Sequence, residues 1–597
     1  MAQLDLAPIG NCALASLIDG TGRHQWFCFP RLDGDPVFNA LVNGEDPERG
    51  FMDVQIEGLE KVTQSYIRNT AVLETIYETK AGEKLRVTDF APRFKLYERN
   101  FRPPTIVRRI EPIEGTPRIR IRVRPTFDYG ARVPNVSFGS NHLRFTGDER
   151  VLRVTADVGP SYILNEQAFL LDRPVSLFIG ADESLSQNPD SLSKQFLHET
   201  VNYWQDWARQ LAIPFEWQEA VIRAAITLKL CSYEETGAIV AAMTTSIPEA
   251  PKTARNWDYR YCWLRDAFFT VNALNQLGAT RTMEHFVRFM LDTVVSEKAS
   301  ELNPLYPIVS STVLTEVAAK SLAGFRGMGP VRIGNAAATQ KQTDVFGSVI
   351  LSAAQLFWDE RVNLVGGPAL YKRLRPVGEA ALAMALEPDS GVWEFRGRAR
   401  VHTYSVAMCW AAVHRMGLIA QRVNAPQVEA EVWEKGASDL RDIILEKAVT
   451  ADGWFSGAFG EDIVDASTLL LPQLGLIDAK DERFLKTLAI AEKRLLRDGF
   501  MLRYDEPDDF GLPETAFLIC TFWYCDALAA VGRAEEARAL FANLLSKRNA
   551  VGLLSEDLHV QSGQLWGNFP QAYSLVGLIL TAYRLSRTWE QGLWHAN

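Results

Sequence analysis

Twelve consecutive residues, Arg255-Asn-Trp-Asp-Tyr-Arg-Tyr-Cys-Trp-Leu-Arg-Asp266, hold four aromatics, three arginines and two aspartates. Aromatic faces can cover the C–H faces of a pyranose, while guanidinium forks and carboxylates fix the directions of its hydroxyls, so this mixture suits a sugar pocket. A buried salt-bridge and aromatic cluster anchoring a helix is the alternative that composition leaves open. Two glutamates elsewhere have the chemistry to move protons. Glu394, in Gly391-Val-Trp-Glu-Phe-Arg-Gly397, lies between Trp393 and Phe395, which could desolvate its carboxyl against the opposing charge of Arg396. It could serve as a general acid. Glu556, in Gly552-Leu-Leu-Ser-Glu-Asp-Leu-His559, precedes the polar run Gly563-Gln-Leu-Trp-Gly-Asn-Phe-Pro-Gln571 and could serve as a general base. Taken singly, each is more simply a surface or capping carboxylate. Glu514, in Leu512-Pro-Glu-Thr-Ala-Phe517, competes with them, yet Pro-Glu opening a helical pattern reads as a first-turn acid on the helix dipole.

Other chemistries find no support. The sequence has no G-x-S-x-G elbow, Walker loop or H-E-x-x-H, and its eight histidines are dispersed, so no metal site is expected. The odd number of cysteines, Cys12, Cys28, Cys231, Cys262, Cys409, Cys520 and Cys525, reads as reduced core residues. A net charge of −10 offers no basic footprint for nucleic acid or an anionic membrane. Met1-Ala-Gln-Leu-Asp-Leu-Ala-Pro8 lacks a basic start followed by an apolar run, which predicts a cytoplasmic location.

At 597 residues the chain exceeds a single core, and its pattern changes once. Period-two runs such as Ala71–Thr79, Arg118–Pro125 and Val151–Val158 predict an antiparallel β-sandwich over 1–192. In Arg118–Arg124 the arginines should face solvent and Ile119, Ile121 and Val123 the core. A polar, aromatic stretch over 193–212 reads as a linker helix. Twelve apolar stripes at helical spacing follow within 213–597, near 215–233, 264–278, 281–296, 338–358, 368–386, 402–421, 426–449, 464–474, 481–496, 513–532, 534–547 and 570–588. No fixed repeat relates them, so six hairpins closed into an (α/α)6 barrel are favoured over a solenoid. The longest stretches between them, 234–263, 297–337, 387–401, 450–463 and 548–569, carry the candidate residues.

Arg255–Asp266, Val331-Arg-Ile-Gly-Asn-Ala-Ala-Ala338, Trp393-Glu-Phe-Arg-Gly397 and Gly567-Asn-Phe-Pro-Gln-Ala-Tyr-Ser574 together resemble glycoside hydrolase family 15, the glucoamylase and bacterial trehalase family. Ile9-Gly-Asn-Cys-Ala-Leu14 and Gln25-Trp-Phe-Cys-Phe-Pro-Arg-Leu-Asp33 are similar to the trehalase-like N-terminal domain of its prokaryotic members. The resemblance implies a β-sandwich before an (α/α)6 barrel, and inverting, cofactor-free hydrolysis of an α-glucosidic bond at the non-reducing end. It makes Glu394 the general acid and Glu556 the general base. Arg265 and Asp266 become the pair that binds the non-reducing glucose, with Tyr259 and Trp263 lining the same pocket and Trp393 beside the acid. Inversion requires two carboxyls about 6.5–9.5 Å apart, with room for a water. Where relatives carry a Tyr-Gly start and a nearby Gly-Glu, this chain has Leu305-Tyr-Pro-Ile-Val-Ser-Ser-Thr312, placed at the rim that receives the leaving sugar.

The expected function is therefore a glucoamylase-type exo-α-glucosidase acting on short α-glucans. The alternative on the same fold is an α,α-trehalase. A non-catalytic glycan-binding protein is disfavoured by retention of both glutamates, and a phosphorylase by the second carboxylate at Glu556.

Overall fold

The computed structural model describes residues 4–295 and 298–594. Outside the described residues lie Met1–Gln3 of the stretch read for a leader, Ser296–Glu297 at the end of an expected helix, and His595–Asn597.

Alternation dominates the first half of the fold. In Arg118–Arg124, Ile119, Ile121 and Val123 are buried, Arg118 and Arg120 are exposed, and Arg122 and Arg124 bond to Asp53 and Glu166. One antiparallel sheet runs Leu6–Gly10, Ala15–Asp19, His24–Phe29, Phe51–Ile56, Arg118–Arg124, Phe169–Leu170, with Asp35–Phe38 paired to His24–Phe29. A second, eight-stranded sheet has Thr105–Glu114 near its centre, between Val175–Gly180 and Lys84–Phe90. Ile9, Phe27 and Val54 from the first sheet share one core with Leu73, Val87 and Ile110 from the second, which makes the pair a sandwich. The helix Pro189–Arg209 follows, with Asn188 accepting the backbone N–H of Ser191 as its cap. It begins four residues before the expected linker and is docked, Arg109 reaching both Asp190 and Ser193.

All twelve expected helical segments form. Outer members such as Glu482–Leu495 carry one apolar stripe, whereas inner members such as Asp344–Ala354 are buried throughout. The inner set is Ala267–Gln276, Asp344–Ala354, Thr403–Arg422, the short helical pair Ala466–Leu470 and Leu471–Leu474, Leu518–Ala530, and Ala572–Leu585. Each packs on the next, and the last returns to the first. The ring closes as an (α/α)6 barrel. Each inner helix is entered through a long loop, and these six loops gather at one end. No helix among the described residues is long and apolar enough to cross a membrane.

Candidate active site

The loops enclose a pocket of about 870 Å3, the open solvent at its mouth included. Tyr259, Trp263, Arg265, Asp266, Trp393, Glu394 and Glu556 all border it. The structure thus brings together every site residue expected from sequence except the rival Glu514.

Glu394 is aimed by its backbone. Asp389, itself buried, accepts the N–H groups of Thr343 and Gly391 and the Ser405 hydroxyl, anchoring the loop. The chain then turns tightly, and Glu394 takes a left-handed φ of 62°, a conformation a side chain pays for and which clusters at functional positions. The neighbouring residues have partners of their own. Phe395 stacks on His402, and the Trp393 indole donates to Asp465. Arg396 pairs with Glu316 and lies 4.3 Å over the Trp257 ring. The groups on the Glu394 carboxyl are the Trp263 indole N–H at 2.7 Å and Arg265 Nη1 at 3.1 Å, both on Oε1. Arg265 also donates to the Val392 carbonyl, so it holds the acid loop as well as standing 3.5 Å from Asp266. Burial, reinforced by Glu394 and opposed by Arg265, pushes the Asp266 carboxyl up to about 6. Its Oδ1 and the Tyr573 hydroxyl are buried without hydrogen-bond partners.

Glu556 is held from the other side. Ala516–Phe517, Asp557–His559 and Gln564–Trp566 form a small antiparallel sheet, and Glu556 precedes its middle strand. The Tyr259 hydroxyl donates to Oε1 at 2.8 Å and the Asn568 N–H to Oε2 at 3.3 Å. Gly567 makes this approach possible, since a Cβ there would stand 2.6 Å from that of Glu556. Tyr259 and Trp263 pack edge to face with centroids 5.2 Å apart, so each of two adjoining rings carries one of the two carboxylates.

Beyond Glu556 lies a charge cluster that local sequence does not announce. Carboxylate oxygens of Glu249, Glu556 and Asp557 lie within 4.8 Å of one another. Arg503 stands among them, donating to Glu249 at 2.8 Å and Asp557 at 3.1 Å, with Glu556 at 3.7 Å. The spacing resembles a cation site, but the guanidinium supplies the positive charge, and Trp257 and Thr515 occupy further oxygens of Glu249 and Asp557. Burial first, then the neighbouring carboxylates, raises Glu556 well above the ordinary range and Asp557 to about 8.

Two sequence expectations change. Glu514 is exposed on a loop, because Thr515–Phe517 lead into the small sheet and the helix begins only at Leu518. Pro307–Ser311 do not border the pocket. Leu305–Tyr306 pairs with Cys262–Trp263 and the chain then turns toward the sandwich, where Thr312 donates to Asp33.

A pocket built on loops at one end of an (α/α)6 barrel, with two separately held glutamates and a ring of aromatic and charged groups, defines a glycosidase. The comparisons agree. The profile of glycosyl hydrolases family 15 matches residues 217–583, and that of the trehalase-like N-terminal domain residues 5–165. A trehalase from Thermoplasma volcanium is 32% identical over 97% of this chain and 92% of its own length. A trehalase from Mycobacterium tuberculosis is 30% identical over 98% of this chain and 90% of its own. A bacterial glucoamylase solved with acarbose superimposes with a TM-score of 0.70 at 14% identity, covering 98% of this chain and 94% of that one, which shows the shared fold. The chain belongs to glycosyl hydrolases family 15.

Proposed function

We propose that this chain is an inverting α-glucoside hydrolase whose substrate is α,α-trehalose. The observation that carries the mechanism is the separate suspension of two carboxyls in one pocket, Glu394 on Trp263 and Arg265, Glu556 on Tyr259. Glu394 protonates the glycosidic oxygen. Glu556 removes a proton from a water that attacks the anomeric carbon from the opposite face. Asp266 Oδ1, which faces Arg265 Nε at 3.5 Å without a well-formed hydrogen bond, and the buried Tyr573 hydroxyl have hydrogen-bonding capacity for the hydroxyls of the bound ring. Between the two substrate classes considered from sequence, similarity over nearly the full length to proteins named trehalase favours the disaccharide.

Inversion has a countable consequence. Cleaving trehalose by a single displacement yields one β-glucose from the attacked ring and one α-glucose from the leaving ring. Proton NMR during the first minutes should show the two anomers in equal amounts, and α-glucose alone would refute inversion. Glucose release should be fastest from trehalose when maltose, isomaltose and starch are offered in parallel. Turnover of maltose or starch without trehalose would return the assignment to a glucoamylase.

A further inference from the structure

The sandwich supplies a strained turn whose direction matters to the barrel. Asp128 and Tyr129 are consecutive non-glycine residues with φ of 53° each, in the left-handed region that side chains disfavour. Such strain persists only where surrounding groups over-determine it. Here the buried Asp35 carboxylate accepts both backbone N–H groups, of Asp128 at 2.7 Å and Tyr129 at 2.8 Å, and pairs with Arg150 at 2.7 Å. The barrel loop clamps the turn as well, Ser321 donating to the Tyr129 carbonyl at 2.7 Å.

The turn presents the Tyr129 hydroxyl to Arg260, a fully buried barrel residue adjoining Tyr259 in sequence. Arg260 donates to that hydroxyl at 2.8 Å, to the Gly34 carbonyl of the sandwich at 2.8 Å, and through two nitrogens to Asp258 at 2.9 and 2.7 Å. Both residues flanking Tyr259 are thereby fixed in a pair with no solvent access. Tyr259 itself donates to Glu556.

We propose that the β domain completes the catalytic pocket: Tyr129, held by Asp35, is a positioning residue that fixes Arg260 and Asp258 and so keeps the Tyr259 hydroxyl on Glu556. The inference rests on Glu556 being the base. Facing Glu556 are the Tyr259 hydroxyl, the Asn568 N–H, Arg503, Glu249 and Asp557, and of these Tyr259 adjoins in sequence the Arg260–Asp258 pair that the sandwich grips at Tyr129 and Gly34. A hydrogen bond to the ionised carboxylate favours that form, so loosening Tyr259 must move the acidic limb of the rate profile to higher pH.

The test is the pH dependence of kcat/KM on trehalose for the full-length wild type, Tyr129→Phe, Tyr259→Phe and the double variant. Tyr129→Phe should lower kcat about tenfold, with KM changed far less, because small misplacements of catalytic groups are costly. Its acidic limb should rise by about half a pH unit or more. In the Tyr259→Phe background the same change should have little further effect. A Tyr129→Phe enzyme with a lower Tm but unchanged kcat and limb would overturn the proposal, as would full additivity in the double variant. Should Tyr129→Phe fail to fold, Asp35→Asn, which keeps shape but weakens the hold on the turn, must show the same limb shift or the proposal falls. If Tyr259→Phe leaves the limb in place, the reading of Glu556 as base fails instead, so the two failures are distinguishable.

Discussion

Replacing Asp266 with alanine should separate stability from activity. Burial raises its carboxyl from the ordinary 3.8 to about 6, so above that pH the folded protein carries an ionised group it would hold more comfortably unfolded. The sign follows from linkage: the penalty is absent below the unfolded value, grows from about pH 4 to 6, and is complete above. Two units correspond to about 3 kcal/mol at pH 7. Asp266→Ala removes that penalty, which is already net of the attraction of Arg265, while Arg265 keeps Glu394 and the Val392 carbonyl as partners and is not stranded. Urea denaturation should therefore show the variant no less stable than wild type at pH 7, with a larger relative gain there than at pH 5. Activity should move the other way. A hydrogen bond from a sugar hydroxyl to a buried carboxylate contributes about 1.5–3 kcal/mol, so kcat/KM should fall roughly 10- to 150-fold. The loss should be similar on trehalose, maltose and isomaltose, which share the ring this residue is assigned to bind. Joint loss of stability and activity would make Asp266 a structural residue. A change in substrate ratio above about tenfold would place it at the leaving sugar.

Glu394→Gln and Glu556→Gln keep shape and remove proton transfer, so each should lower kcat by about 10²–10⁴-fold with an unchanged circular dichroism spectrum. Glu514→Gln, at an exposed loop position away from the pocket, should leave turnover within about twofold. Arg503→Met should destabilise by about 3–5 kcal/mol in urea, because it leaves Glu249, Glu556 and Asp557 together without their shared cation. Adding Asp557→Asn should recover part of that loss.

The barrel was legible because its signal is local: an inner helix such as Asp344–Ala354 is apolar on every face, and an outer one such as Glu482–Leu495 on a single stripe. The sandwich was legible for the same reason in Arg118–Arg124, where the period is two. Helix starts were less so. Pro513-Glu514 has the composition of a first turn, yet Ala516 and Phe517 pair with Leu558 and Asp557, a long-range contact no local window contains. A helix started at Pro513 would shorten the loop before Leu518, the loop that holds Arg503. Glu249 and Asp557 lay inside or beside stretches already singled out, but a lone acid in a loop carries no mark of the guanidinium it will meet. Orientation is the least legible feature, since past the left-handed turn at Glu394 the Phe395 ring stacks on His402 and Arg396 pairs with Glu316, partners that adjacency to the carboxyl does not announce.

The same turn shows how the pocket and the scaffold divide their labour. Glu394 in a disfavoured conformation, Asp266 with a buried carboxyl, and three carboxylates sharing Arg503 each lower stability where they stand. A pocket of this kind persists only if the surrounding structure leaves it no cheaper arrangement. Asp389 pins the Glu394 loop to the inner helices, Gly567 lets the Asn568 backbone close on Glu556, and Asp258 with Arg260 locks the segment carrying Tyr259. Two of these restraints are internal to the barrel, whereas the third is anchored in the sandwich at Tyr129 and Gly34. Loss of the sandwich contact would thus be felt first at the Tyr259–Glu556 arm and last at the Glu394 arm, although both arms border one pocket.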